Sequence, residues 1–471
     1  MYMYTKSLKS RGKSRGKSKF NTQICTDKMT FDECELAILR NAIDESDKQQ
    51  SEKIANSEVV VQMISILEDF IRKKKCICYG GTAVNNLLPK HAQFYNREIE
   101  VPDYDVYSPR ALEYAKELAD LYVSNGFNEV EAKAGIHEGT FKVFVNFIPI
   151  ADITYMNPTL FKALAKDSIK VNGLLYAPPD FLRMSMYLEL SRPLGVVSRW
   201  EKVFKRLALL NKYRPLKADN CSELKASNDR TETYYITRDL LVSQGVVFFG
   251  GYAGGFYRSD DKTVARVSDF DVLSEEPEAC ANTLVDKLEH MNIRGAKLIH
   301  HARIGEIIPE HIEVRVGVNP IAFIYKPIAC HNYNTIRVQD NEIKIATIDT
   351  MLSFYLAFYY SGEPHFSKER ILCMAEFLFK VGEEHRLEQR GVLKRFNIEC
   401  IGKQPTIETI RSEKMEKFKE LKDKRGTSEY DKWFLNYRPT NSNRHTKKIR
   451  SINPSHIKKN TYIKPNSEYM F

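Results

Sequence analysis

Tyr79-Gly80-Gly81-Thr82, Pro102-Asp103-Tyr104-Asp105-Val106 and Ile150-Ala151-Asp152-Ile153 follow one another in the first half of this chain, and their order decides the fold. Each stretch reads as a strand end: an apolar lead, then glycines or acids where the chain leaves the sheet. The same succession returns as Phe249-Gly250-Gly251-Tyr252, Ser268-Asp269-Phe270-Asp271-Val272 and Ile321-Ala322-Phe323-Ile324. Gly80 maps to Gly250 and Pro149 to Pro320, a near-constant offset of about 170 residues. A period of that length fits duplication of a domain rather than a solenoid. The copies differ at one decisive place, because Phe323 stands where the first copy has Asp152.

Around the first motif, the apolar positions Val59, Met63, Ile66, Leu67 and Phe70 predict a helix over 58–71. Residues 76–79, 104–107 and 150–155 read as strands, and 128–134 with 140–147 as an antiparallel pair. Ser108-Pro109 reads as a cap followed by a first-turn proline, opening a helix that runs to about Ser124. Helix is also expected over 180–213 and 404–425, the latter with Ile407, Ile410, Met415, Phe418 and Leu421 on one stripe suited to core packing. The fold class is therefore α+β: two tandem domains, each a small mixed sheet with helices, the second degenerate, plus helical segments and basic tails. The expected divisions are 1–45 (basic tail and lead-in), 46–195 (catalytic domain), 196–232 (helical connector), 233–390 (degenerate copy) and 391–471 (helical and basic region).

The residue types suit phosphoryl chemistry. Asp103 and Asp105, two apart on a strand, leave the same face with Cα atoms ~6.5–7 Å apart. With Asp152 from a neighbouring strand they could hold two divalent cations ~3.5–4 Å apart. Asp152 could also act as general base. Gly80 and Gly81 would let backbone N–H groups approach a phosphate, with Thr82 adding a hydroxyl at a helix start. Asn85 or Asn86 would face sugar or base, or else be exposed helix positions. Residues 89–100, with Lys90, His91 and Arg97, lengthen the spacing between the glycines and the acids, as a lid or as a surface loop.

These motifs resemble the polymerase-beta-like nucleotidyltransferase superfamily, and more narrowly the catalytic poly(A) polymerases of large cytoplasmic DNA viruses of the giant-virus and asfarvirus type. The resemblance spans about residues 55–390 and includes Pro178-Pro179-Asp180-Phe181-Leu182-Arg183 and residues 198–206. It implies template-independent addition of adenylate from ATP to an RNA 3′ end with two Mg²⁺ or Mn²⁺ ions. It also implies a location in host cytoplasm or virion, and either a homodimer or a separate processivity subunit. By motif match Asp103, Asp105 and Asp152 would be metal ligands, and Gly80, Gly81 and Thr82 would contact phosphates. Lys202 and Arg206, four apart on a helix face, would reach triphosphate or RNA, or simply form a solvated basic face. Uridylyl transfer, CCA addition, small-molecule nucleotidylation and a non-catalytic RNA-binding scaffold are the competing functions. With Phe323 in place of the third acid, the second copy is expected to close over the first site, guide RNA or form a dimer contact. A weak regulatory metal or nucleotide site is the alternative there.

The formal charge of +10 is concentrated at the ends. Residues 1–20 hold seven Lys or Arg and no acid, and 441–471 hold seven against Glu468 alone. Such tails suit a polyanion partner, or serve solubility and targeting. No run of 18 apolar residues suggests a membrane span. Nine scattered cysteines without a C-x-x-C pair suggest reduced thiols in an intracellular setting. His300, His301 and His311 lack a ligand set for zinc.

Overall fold

The computed structural model describes residues 24–26, 28–96, 101–219, 221, 232–258, 269–305, 307–362 and 367–439. Both basic tails, Ser268 and the Arg97 end of the 89–100 segment lie outside these residues.

In the first half, α1 (Phe31–Ala55) and α2 (Glu58–Lys74) lead into β1 (Ile77–Tyr79), α3 (Gly80–Leu87), β2 (Tyr104–Ser108), α4 (Ala111–Ser124), β3 (Val130–Ala134), β4 (Thr140–Val145) and β5 (Ile148–Tyr155). Then come α5 (Pro158–Asp167), β6 (Ile169–Val171), β7 (Leu174–Tyr176), α6 (Pro179–Leu190) and α7 (Trp200–Tyr213). The second half comprises α8 (Glu232–Ser243), β8 (Val247–Phe249), α9 (Gly250–Gly255), β9 (Phe270–Leu273), α10 (Pro277–His290), β10 (Ala296–His301), β11 (His311–Val316) and β12 (Asn319–Tyr325). It continues through β13 (His331–Val338), β14 (Asn341–Ala346), α11 (Ile348–Ser361), α12 (Lys368–Glu384), β15 (Cys400–Ile401), α13 (Ile407–Leu421), α14 (Ser428–Phe434) and β16 (Asn436–Tyr437).

The duplication is complete at the level of topology. The first sheet runs β16-β3-β4-β5-β2-β1-β7-β6 and the second β10-β11-β12-β9-β8-β14-β13-β15. Without the short end strands β16 and β15, the two orders map strand for strand. Both sheets are mixed, because β2–β5 and β9–β12 are parallel while β1–β2 and β8–β9 are antiparallel. Each β5- and β12-type hairpin carries a bulge at the same point, after Pro149 and after Pro320. Proline lacks the ladder donor, so the pairing slips there by one residue.

The core of the first domain lies between one sheet face and α2 and α4. Met63, Leu67 and Phe70 meet Leu118 and Tyr122, and Phe141, Val143 and Val145 point up from β4. Tyr122 donates its buried hydroxyl to the Met63 carbonyl at 2.6 Å, which satisfies the one polar atom that this aromatic brings inside. Between the domains the duplicated helices α6 and α11 pack on each other, with Phe181 edge-on to Tyr360 at 5.3 Å. Nearly all of α11 is buried, as a helix clasped from both sides must be.

Four sequence expectations change. Residues 31–55, assigned in part to a tail, form α1, started by a capping box in which Thr30 and Glu33 exchange backbone and side-chain hydrogen bonds. The 404–425 helix exists as α13, but of its apolar stripe only Leu421 is fully buried, and Met415 and Phe418 face solvent. Six of the nine cysteines are paired as disulfides rather than held as thiols: Cys25–Cys34, Cys221–Cys373 and Cys330–Cys400, with Cα atoms 5.3, 5.6 and 5.2 Å apart. Cys76, Cys78 and Cys280 are buried thiols. The first helix after the acids begins at Ala111, two residues later than Ser108-Pro109 suggested, with Ser108 Oγ accepting from the Arg110 N–H. Among the described residues no helix is long and apolar enough to cross a membrane.

Candidate active site

The three carboxylates come together by strand register. β2 and β5 run parallel with Asp105 directly beside Asp152, and Asp103 lies two residues upstream of Asp105 on the same side. On its other flank Asp105 pairs with Tyr79, the last residue before the glycines. Gly80 has φ +69, and a Cβ there would fall on the Asp105 carboxylate. Glycine is therefore required twice over, for the left-handed backbone and for the close approach of the acid. Gly250 repeats this with φ +70 against Asp271.

Tyr79 stacks on Tyr107 at 3.8 Å, and its hydroxyl bonds Thr154 Oγ1, which in turn bonds Thr140 Oγ1. This aromatic and hydroxyl row forms the floor beside the acids. Burial and the charges of Asp103 and Asp152 push the Asp105 carboxyl well above the ordinary range, with Lys142 and Arg199 opposing. Asp103, just before β2, is exposed. Loss of surrounding water and the charge of Asp152 raise its carboxyl too, against the pull of Lys142 and Lys202. Three carboxylates thus converge where burial disfavours their charge, and carboxylate oxygens are the ligands that hard cations take.

Cations from the chain already surround it. Lys142 on β4 is the register partner of Asp152, and its Nζ lies 2.6 Å from Asp152 Oδ2. Arg199, Lys202 and Arg206 share one face at the start of α7, beside the stripe Val203, Leu207 and Leu210 that buries the helix. Arg199 pairs with Glu189 at 3.2 Å. Arg206 lies over Gly81, where a Cβ would come within 2.9 Å of its Nη1. The same guanidinium donates to Tyr95 Oη at 2.5 Å and faces the Phe94 ring. Lys142 and Arg199 were not singled out from sequence, whereas Lys202 and Arg206 were, and the structure brings all four to one site.

Two other residues do different work from that expected. Thr82 is buried and donates its hydroxyl to the Asp103 carbonyl at 2.5 Å, so it fixes the acidic strand to α3. Asn85 is also buried, and its Oδ1 accepts from the N–H groups of Phe94 and Tyr95 at 2.7 and 2.9 Å. It thereby pins the 89–96 segment across α3. Asn86 donates to Tyr176 Oη. His91 bonds Tyr213 Oη at 3.1 Å, so the described part of the inserted segment packs between α3 and α7. The first amides of α3, from Gly80, Gly81 and Thr82, are left without helical partners by geometry, as an anion site requires.

The donor set fits divalent cations in chemistry: three carboxylates from two adjacent strands. Among the described residues no three acidic, histidine or cysteine side chains are already closed into a cage. The Asp152 carboxylate is instead paired with Lys142.

In the second copy Asp271 is beside Phe323 exactly where Asp105 is beside Asp152, so the aromatic replaces the third acid in space as well as in sequence. Glu313 lies across from Phe323, bonded to His301 at 2.9 Å and to Arg315. His311 stacks between His301 and Tyr325, and Phe249, Phe354 and Phe358 complete the aromatic filling. Burial and Asp269 drive the Asp271 carboxyl well above the usual range, toward its neutral form.

This arrangement has relatives. Residues 65–196 match the family model of the poly(A) polymerase catalytic subunit. The match covers both glycines, all three acids, the Lys142 strand and α6. A protein of African swine fever virus described as a poly(A) polymerase catalytic subunit is 33% identical over 168 residues, which is 34% of this chain and 35% of that protein. A protein of Acanthamoeba polyphaga mimivirus with the same description is 28% identical over 225 residues, covering 44% and 38%. The alignments thus span little more than a third of these poly(A) polymerase relatives. The crystal structure of the Megavirus polyadenylate synthase superposes with a TM-score of 0.73 over 89% of this chain and 88% of that one, at 19% identity. That likeness is one of fold and extends to both sheets.

Proposed function

We propose that the chain catalyses template-independent polyadenylation of RNA 3′ ends, moving adenylate from ATP to a terminal hydroxyl. The supporting observation is the register: Asp105 abreast of Asp152 with Asp103 on the same face, at the foot of a glycine-started helix. In the reaction the 3′-oxygen bonds the α-phosphorus, the bond from that phosphorus to the β-bridging oxygen breaks, and pyrophosphate leaves. Asp103, Asp105 and Asp152 would hold two Mg²⁺ or Mn²⁺ ions, which when bound lower the pKa of the attacking hydroxyl and neutralise the leaving group. Asp152 would accept the hydroxyl proton. The α3 amides and the Arg199, Lys202 and Arg206 face hold and orient the triphosphate. Arg206, fixed by Tyr95 and laid over Gly81, is already oriented before substrate arrives.

ATP and the RNA 3′ end are the proposed substrates, and a second copy or a separate subunit supplies processivity, in infected-cell cytoplasm or in the virion. The second domain, lacking a third acid, serves as a packing partner rather than a second centre.

The test is primer extension with each of the four nucleoside triphosphates in turn. ATP should give a lengthening ladder that Asp103→Ala and Asp152→Ala abolish. Extension by those variants at the wild-type rate would overturn the assignment. Preference for UTP, or addition limited to a CCA end, would redirect it to another nucleotidyltransferase specificity.

A further inference from the structure

The register that assembles the acids continues past them. Asp105 on β2 pairs with Asp152 on β5, Asp152 with Lys142 on β4, and Lys142 with Lys133 on β3. Cross-strand partners share a face, so this is one row of side chains stepping ~4.8 Å per strand away from the reaction centre. Val130, Ala132, Phe141, Val143 and Val145 on the opposite face are buried beneath α4, whereas Glu131, Lys133, Thr140, Lys142 and Phe144 are half-exposed. Two lysines directly opposite one another repel and weaken the sheet. Their local compensation is thin: Asp152 serves Lys142, and Glu131 is shared between Lys133 at 2.5 Å and Arg438 at 3.1 Å. Phe144, the register partner of Glu131, lies beside the row with the Lys133 ammonium 5.8 Å from its ring centre.

The duplicated domain supplies a comparison within the chain. Its matching row reads Asp271, Phe323, Glu313 and Ile299. The same fold is thus built with no lysine in either position. The lysines accompany the complete acid set and are not a demand of the sheet.

We propose that this open face of β4 and β3 is the acceptor-strand site, binding the 3′-terminal nucleotides of single-stranded RNA. Lys142 and Lys133 take successive backbone phosphates upstream of the terminal hydroxyl, and Phe144 stacks a base. The proposal rests on the nucleotidyl-transfer reading above and adds the track by which the acceptor reaches Asp152. Occupation by RNA releases Lys133 from Glu131, leaving Glu131 to Arg438.

The test measures RNA binding apart from catalysis. A labelled short oligoribonucleotide is titrated by fluorescence anisotropy against the full chain across a salt series. Lys133→Gln should weaken binding and flatten the slope of log affinity against log salt by roughly 0.7, the value for one single-strand phosphate contact. Phe144→Leu should weaken binding by roughly 5-fold or more at every salt concentration, as loss of one stacked base does. Lys326→Gln, an exposed position in the second domain, should leave both readings unchanged. Both side chains are half-exposed, and melting temperatures near wild type confirm that the variants fold. If both variants match wild type in affinity and slope while wild type extends RNA, the track is wrong and the polymerase reading stands. If binding depends on the row but no nucleotide is ever added, the track stands and the polymerase reading falls. A wild-type chain that binds no RNA overturns both.

Discussion

Replacing Asp105 by asparagine should make the cation-free protein more stable while abolishing nucleotide addition. Asp105 is abreast of Asp152, on strands ~4.8 Å apart, and two residues from Asp103. Two like charges about 5.5 Å apart at an effective dielectric of 20 repel by about 3 kcal/mol. Lys142 and Arg199 offset part of this, and the solvent around Asp103 screens its share. The net relief on removing the central charge is about 1–2 kcal/mol, which for a domain of 150–250 residues raises the melting temperature by about 2–8 °C. Asparagine keeps the shape that packs on Gly80. Calorimetry in chelator should show the variant melting above wild type, and added Mg²⁺ should narrow the difference by stabilising wild type alone. An Asp105→Asn protein that melts at or below wild type in chelator would refute the argument that the acids are held against their own repulsion.

Because burial and mutual charge raise the Asp103 and Asp105 carboxyls, a proton competes with any cation for these oxygens. Mg²⁺ affinity measured by titration calorimetry should therefore strengthen as pH rises through the raised values. Over the same interval the cation-free protein should lose stability, since the neutral acids favour the native state and the ionised ones do not. Phe323→Asp restores the third acid of the second copy only on paper. It exchanges a buried ring in an aromatic shell for an unpaired charge, so about 3–5 kcal/mol of stability should be lost, read by denaturant melts. No incorporation should return in an Asp152→Asn background.

The parts of the site legible in sequence were those whose chemistry is local. A D-x-D on an alternating strand fixes two carboxylates on one face whatever the rest of the chain does, and a glycine pair after a strand announces a tight exit. Lys142 was hidden by the bulge after Pro149. A hairpin counted without it sets Phe141, not Lys142, across from Asp152, and Pro149 is the one local sign that the pairing can slip. Thr82 and Asn85 were misread for another reason. A hydroxyl or amide beside a glycine turn serves a ligand or a neighbouring backbone equally well, and here the backbone takes both. The capping pair Thr30 and Glu33 did signal α1, but the polar run after it masked the helix. Two of the three cysteine pairs join positions 152 and 70 residues apart, a separation that only the folded chain reveals.

The strands β15 and β16 are two residues each, yet they lock the molecule late. β15 seals the second sheet against β13, and β16 then crosses back to seal the first against β3. The Arg438–Glu131 pair at that seam joins residues 307 apart in sequence. During synthesis the outer edge of the first sheet must wait, with β3 bare, until nearly the whole described chain has left the ribosome. A nascent or truncated product ending before Asn436 would leave the β3 edge, next to the proposed acceptor face, without its strand partner.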